Sequence, residues 1–135
     1  SFSALWPSLT LISCWTEGSA KDAAKRLARL APNVAIQTKG LLATEGVVTV
    51  PMGKAEGALA AVGSHFLEFL NLDSPNARPD LAHEVKEGAT YAPLLSTGGG
   101  LFRYRLDDQL RCVGHSAATP RFVFEGRLEG ASSSG

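Results

Sequence analysis

Residues 101–115, LFRYRLDDQLRCVGH, alternate apolar and polar side chains, and a period of two is the mark of a half-buried β-strand. Together with the three glycines before it, the stretch 98–115 reads as one strand. Phe102, Tyr104, Leu106, Leu110 and Cys112 share one face, and Arg103, Arg105, Asp107, Gln109 and Arg111 share the other. Asp108 falls on the apolar face, where a carboxylate is costly unless something satisfies it. Three partners would do so: an arginine close by, such as Arg103 or Arg105 if the strand bulges, a backbone turn, or two adjacent hydroxyls. Vicinal ribose hydroxyls fit the last case, because an ionised carboxylate only accepts and has two oxygens to offer.

The remaining segments set this strand in a mixed α/β fold. LTLISCW (9–15) is a short apolar run of the kind found in buried strands. In TEGSAKDAAKRLARLAP, Ser19 and Asp22 suit a helix cap, and Ala20, Ala23, Leu27, Leu30 and Ala31 form one apolar stripe. Lys21, Asp22, Lys25, Arg26 and Arg29 lie opposite, with Asp22 and Arg26 four residues apart. Pro32 and Asn33 end the helix, and VAIQTKG follows as a second strand. A βαβ unit with a parallel strand pair is therefore expected. GVVTVPM reads as a third strand. From about residue 57 the segments ALAAVGSHFLEFLN, ATYAPLLST and RFVFEGR are strand-like, with turns at 56–58, 71–80, 86–89, 97–100 and 115–120. The fold class is thus a short βαβ unit (1–56) followed by a mostly antiparallel sheet or partial barrel (57–127). The small, polar tail 128–135 reads as a linker or the start of a hinge.

Composition excludes several function classes. Thirteen basic residues balance thirteen acidic ones, so there is no field to recruit nucleic acid or an anionic membrane. No run approaches the roughly 20 apolar residues of a membrane span. The N-terminus has no basic leader and carries Pro7, which argues against a signal peptide. Cys14 and Cys112 both lie in apolar runs and read as buried thiols in a reducing compartment, so a cytoplasmic protein is expected. His65, His83 and His115 lack metal-ligand spacing, and there is no Gly-x-Ser-x-Gly elbow. The glycines at 98–100 lead into a strand rather than a helix, which points to a tight turn and not a phosphate loop.

LLATEGVV (41–48) carries more chemistry. Thr44 and Glu45 stand between two apolar stretches beside Gly46, at a loop-to-strand junction. A hydroxyl beside a carboxylate suits a phosphate oxygen and a Mg²⁺ ion, since Mg²⁺ is held by few carboxylates together with phosphate and water. An ordinary exposed turn is the plain alternative.

In order along the chain, LWPSLTLISCWTEGSA, IQTKGLLATEGVV, SHFLEF, GGGLFRYRLDDQLRCVGH and PRFVFEGR resemble the auxin-responsive acyl-acid amido synthetases, the Gretchen Hagen family, including its bacterial members. That family belongs to the adenylate-forming superfamily, and the resemblance implies ATP and Mg²⁺ as cofactors and a small carboxylic acid and an amino acid as substrates. It implies that Thr44 touches the α-phosphate, that Glu45 holds the metal, and that Leu42 and Ala43 lie beside the adenine. The family's Tyr-Arg-x-Gly-Asp motif is matched by YRLDD, so Asp108 would hold the ribose hydroxyls. Asp107 replaces the motif's glycine, which could distort the turn or repel phosphate. Arg127 sits where the family enters the hinge to its C-terminal domain. Phe66 and Phe69 either approach the acyl pocket or belong to the core. The resemblance also implies a phosphate loop upstream of residue 1 and a further domain downstream. The chain would then be a middle part of a large N-terminal domain, inactive alone. The alternative is a stand-alone or degenerate domain that binds a small molecule or partner without catalysis, with open strand edges that invite a dimer.

Overall fold

The computed structural model describes residues 2–128. After a helical turn, α1 (Phe2–Leu5), strand β1 (Leu11–Cys14) is joined through helix α2 (Lys21–Leu30) to β2 (Ala35–Thr38). The two strands pair in parallel from Leu11↔Ala35 to Cys14↔Thr38, the expected βαβ unit. Its details differ from the pattern. A 3-10 turn over Gly18–Ala20 precedes the helix, the N-cap is Ala20, and no side chain caps it, so Ser19 and Asp22 do not form a capping pair. Glu17 Oε2 instead accepts a 2.8 Å hydrogen bond from the Phe124 amide, which ties this turn to the far end of the chain. Asp22 meets Lys25 at 3.6 Å, not Arg26. Of the apolar stripe only Ala31 is buried, while Leu30 is 62% exposed.

The rest of the chain forms one curled antiparallel sheet of eight strands, a half-barrel. Its main path runs β3 (Thr49–Val50), β4 (Ala58–Ala60), β10 (Thr119–Arg127), β9 (Asp108–Ser116), β7 (Thr90–Ser96), β5 (Phe66–Asn71) and β6 (Asp80–Leu81). The eighth strand, β8 (Tyr104–Arg105), pairs with β7 off this path. ALAAVGSHFLEFLN is therefore two strands, not one. A turn closed by Val62 N–H to Ala60 O and Ser64 N–H to Ala61 O sends β4 toward β10 and β5 toward β7. The 97–100 glycine stretch is the expected tight turn, with Gly100 at φ +106°.

The core belongs to the large sheet. Phe69 and Phe122 stack with centroids 4.9 Å apart, and Tyr91 meets both edge-on at 6.4 and 6.3 Å. Val48, Ala60, Leu67, Val85, Leu95, Leu106, Leu110 and Cys112 complete this cluster. Phe69 is thus a core residue, whereas Phe66 is 59% exposed and is not. Cys112 is buried as expected, but Cys14 is only half-buried.

The strand expected over 98–115 is broken, and the break explains Asp108. Leu94 faces Arg105 and Leu106 N–H donates to Pro93 O at 3.0 Å, but Tyr91 faces Leu110. Three steps along β7 thus match five along the opposing chain, and the two extra residues lie within Asp107–Gln109. A proline in a central strand has no N–H for the ladder and is tolerated at bulges, and Pro93 marks this one. A second irregularity in β10, between Phe124 and Gly126, lies on the other side of the same residues. Phe102 and Tyr104, upstream of the break, are 82% and 42% exposed rather than core-facing.

Candidate functional site

Thr44 and Glu45 form the tip of a two-residue hairpin. Ala43 N–H donates to Gly46 O at 3.1 Å, Gly46 N–H returns to Ala43 O at 3.2 Å, and Leu42 bridges Val47. Three contacts seat this hairpin. Buried Thr49 accepts the Leu41 N–H on its hydroxyl at 2.8 Å, and Gly40 lies so close that a Cβ there would stand 2.1 Å from the Thr49 carbonyl oxygen. At Gly46 a Cβ would meet the His65 ring at 2.8 Å and Leu95 at 3.0 Å, so glycine lets the hairpin press against the sheet. Ala43 packs inward against the core, while Leu42 is 44% exposed.

The Thr44 hydroxyl donates to Glu45 Oε2 at 2.9 Å. The Glu45 carboxyl is held below its ordinary range, chiefly by its own backbone N–H and then by Thr44, with smaller help from Tyr104 and Arg127. It is therefore ionised at neutral pH and partly open to solvent, as a ligand to a hydrated divalent cation must be. Among the described residues no group of three His, Cys, Asp or Glu could hold a metal by itself. The Glu45 carboxylate, ionised and open to solvent, fits Mg²⁺, which takes one or two protein carboxylates and completes its shell with phosphate and water.

Asp108 opens β9 at the bulge and is 7% exposed. Its carboxyl is pushed above the ordinary value by burial, against the pull of Arg127 and with a further push from Asp107 and Glu45. The only described side chain that pairs with it is Arg127, whose Nε stands 3.4 Å from Oδ1. Neither Arg103 nor Arg105 fills that place. Arg103 bonds Glu68 instead. Asp108 accordingly keeps acceptor capacity that no other described residue uses, which suits donation from two ligand hydroxyls. Asp107 keeps a negative φ, so replacing the motif's glycine does not strain the turn, although its charge adds to that of Asp108. Its carbonyl accepts from Leu128 N–H at 2.7 Å.

Residues far apart in sequence thus converge. Thr44 and Glu45 on the hairpin, Asp108 at the bulge and Arg127 at the end of β10 lie within electrostatic reach of one another. Tyr104 joins them through a hydrogen bond to Glu45, although its parity in the alternation, shared with Asp108, marks it as a core position. Leu41, just before the hairpin, also lines an apolar cavity of about 210 Å³ with Trp15, Lys39, Leu110, Phe122 and Phe124.

Comparison with known proteins decides the family. The model of the GH3 family central domain matches residues 58–127, more than half of the chain. The chain belongs to the GH3 family. Indole-3-acetic acid-amido synthetase GH3.15 of Arabidopsis thaliana is 37% identical over 73 residues, 46% of this chain and 12% of that protein. Probable indole-3-acetic acid-amido synthetase GH3.12 of Oryza sativa subsp. japonica is 25% identical across 90% of the chain and 24% of its own length. Among solved structures, the AtGH3.15 acyl acid amido synthetase in complex with 2,4-DB superposes with a TM-score of 0.82 at 25% identity, covering 95% of this chain and 23% of that one. The chain spans a quarter or less of the length of these GH3 relatives. The likeness supports both the resemblance drawn from the motifs and the mixed fold with its curled antiparallel sheet.

Proposed function

We propose that this chain is a segment of an ATP-dependent acyl-acid amido synthetase and carries two of that enzyme's nucleotide contacts. The observation that carries the reading is the convergence of the Thr44–Glu45 hairpin with Asp108 and Arg127, from positions more than sixty residues apart in sequence. In the reaction, the carboxylate of a small organic acid attacks the α-phosphorus of ATP and pyrophosphate leaves. The amine of an amino acid then attacks the acyl carbonyl, an amide forms and AMP leaves. Both steps bring anions or polar groups together, so the protein's task is orientation and charge stabilisation.

Thr44 donates toward an α-phosphate oxygen once its hydroxyl turns from Glu45. Glu45, ionised, is the ligand for Mg²⁺, which supplies neutralisation of phosphate charge. Asp108 accepts from the ribose hydroxyls, and Arg127 shields Asp108 from the other carboxylates. Leu42 offers the exposed apolar surface for the adenine, with Ala43 behind it. In this proposal residues 1–56 form the βαβ portion with the Thr-Glu motif, 57–127 the sheet with the ribose motif, and 128–135 the start of a hinge. All but Leu128 of that last stretch lies outside the described residues. A phosphate loop would have to come from elsewhere in the protein, so the isolated chain does not form acyl-adenylate. A cytoplasmic setting belongs to the same reading; among the described residues no helix is long and apolar enough to cross a membrane.

ATP–pyrophosphate exchange across a panel of carboxylic acids, measured on the full-length gene product, tests this. Acid-dependent exchange lost in Glu45→Ala and Asp108→Ala is the expected result. A folded protein that exchanges with no acid would instead favour a non-catalytic binding domain.

A further inference from the structure

We propose that Glu68 and Arg103 form a staple across three strands that sets the register of the ribose motif, making both positioning residues for the nucleotide; this rests on the function proposed above. Glu68 sits on β5 with only 5% of its side chain exposed, an unusual place for a carboxylate. Arg103 answers it with both arms of its guanidinium, Nε to Oε2 at 2.9 Å and Nη2 to Oε1 at 2.6 Å. To do so the Arg103 backbone takes φ +46°, a region that non-glycine residues avoid, while its N–H donates to Ser96 Oγ at 3.0 Å.

The geometry gives the pair a job beyond local pairing. Glu68 faces Leu94 on β7, and Leu94 faces Arg105 on β8, so the three lie in one row across the sheet. Arg103, the residue before β8, reaches back over β7 to the first strand of that row. The stapled segment is short: β8 has two residues and only the Leu106 N–H bond to Pro93 O extends it before the bulge. A two-residue strand next to a bulge specifies its register weakly, and a slip of one residue there would be taken up in the bulge, displacing Asp108 relative to Tyr104. The bidentate bond fixes one end of this segment, and the pairing of Asp108 with Arg127 at the start of β9 fixes the other.

The test uses the full-length gene product with Arg103→Gly, Arg103→Lys and Glu68→Gln. Glycine accepts φ +46°, so Arg103→Gly removes the staple while relieving the backbone, and the double variant Arg103→Gly with Glu68→Gln removes it without leaving a buried carboxylate unpaired. Two readouts are taken: KM for ATP against kcat, and hydrogen exchange of the peptide covering 104–108 by mass spectrometry. Arg103→Gly should raise KM for ATP by about tenfold with a smaller change in kcat, in line with the cost of slightly misplacing a binding group. It should also speed exchange at 104–108. Arg103→Lys, which keeps the charge but not the fork, should fall between. Unchanged KM and unchanged exchange in folded Arg103→Gly would overturn the staple. If the wild type forms no acyl-adenylate, the proposed function fails, and the exchange comparison alone still decides the staple.

Discussion

The two regions of this molecule are built to different standards of burial. In the curled sheet, Tyr91, Ala92, Pro93, Leu94 and Leu95 are consecutively buried, and the aromatic trio of Phe69, Tyr91 and Phe122 is closed to solvent. In the βαβ unit the two strands alternate only between exposed and half-buried, and the helix buries Ala24 alone. Leu11, Trp15 and Leu30 stand 49%, 55% and 62% exposed. The sheet therefore carries the stability, and the βαβ unit depends on it through a few contacts. Among those contacts are the Glu17 bond to Phe124, Gly18 against the Phe124 ring, and Gly40 against Thr49. The proposed nucleotide site lies where the two meet, since the hairpin leaves the βαβ unit and docks on the sheet beside the bulge.

The sharpest way to break this contrast is in the sheet core. Phe69→Ala should cost about 3–5 kcal/mol and unfold the whole sheet cooperatively, as read by urea denaturation. Gly40→Ala should cost about 2 kcal/mol or more, because its Cβ would be driven into backbone that cannot move aside. It should also weaken ATP binding, since the hairpin hangs from that contact. Glu17→Ala leaves the Phe124 amide without its acceptor and should cost about 1–2 kcal/mol. Its signature is faster hydrogen exchange in β1 and β2 with little change in β5 and β7. Leu30→Ala, at the exposed end of the helix, should stay within about 0.5 kcal/mol of wild type. A large loss there would mean that the βαβ unit has a core of its own.

Asp108 sharpens the comparison in another way, because it is a buried charge in the region that otherwise provides stability. Burial raises its carboxyl above the ordinary 3.8, so the folded protein holds that proton more tightly than the unfolded chain. Stability is therefore lost as pH rises from the unfolded value through the folded one, and remains lower at neutrality. Asp108→Asn should match or exceed wild-type stability at neutral pH, with the advantage vanishing in acid, while nucleotide affinity falls. Thermal melts at the two pH values check this.

The local patterns were legible where one period ran through an element. The parallel pair, the helix and the turn at 97–100 could be read because their residues lie close together in the chain. Asp108 also announced itself, as a charge on an apolar face. What could not be read was how that face is interrupted. The alternation through 101–115 looks continuous because a two-residue shift preserves parity, so Leu110 and Cys112 point inward on either account. The signal lay in another segment: Pro93 sits in a run that otherwise suits a central strand, and a proline there implies a bulge in its neighbour. Arg127 as the partner of Asp108, Arg103 as the partner of Glu68, and Tyr104 beside Glu45 depend on strand order, which no local pattern encodes.

The most direct test of the central claim is whether Asp108 reads the ribose. Binding of ATP and of 2′-deoxy-ATP to the full-length gene product would be compared by calorimetry, wild type beside Asp108→Ala. A preference for ATP in the wild type that disappears in Asp108→Ala is the predicted result. An equal preference in both proteins would place the ribose elsewhere and remove Asp108 from the site.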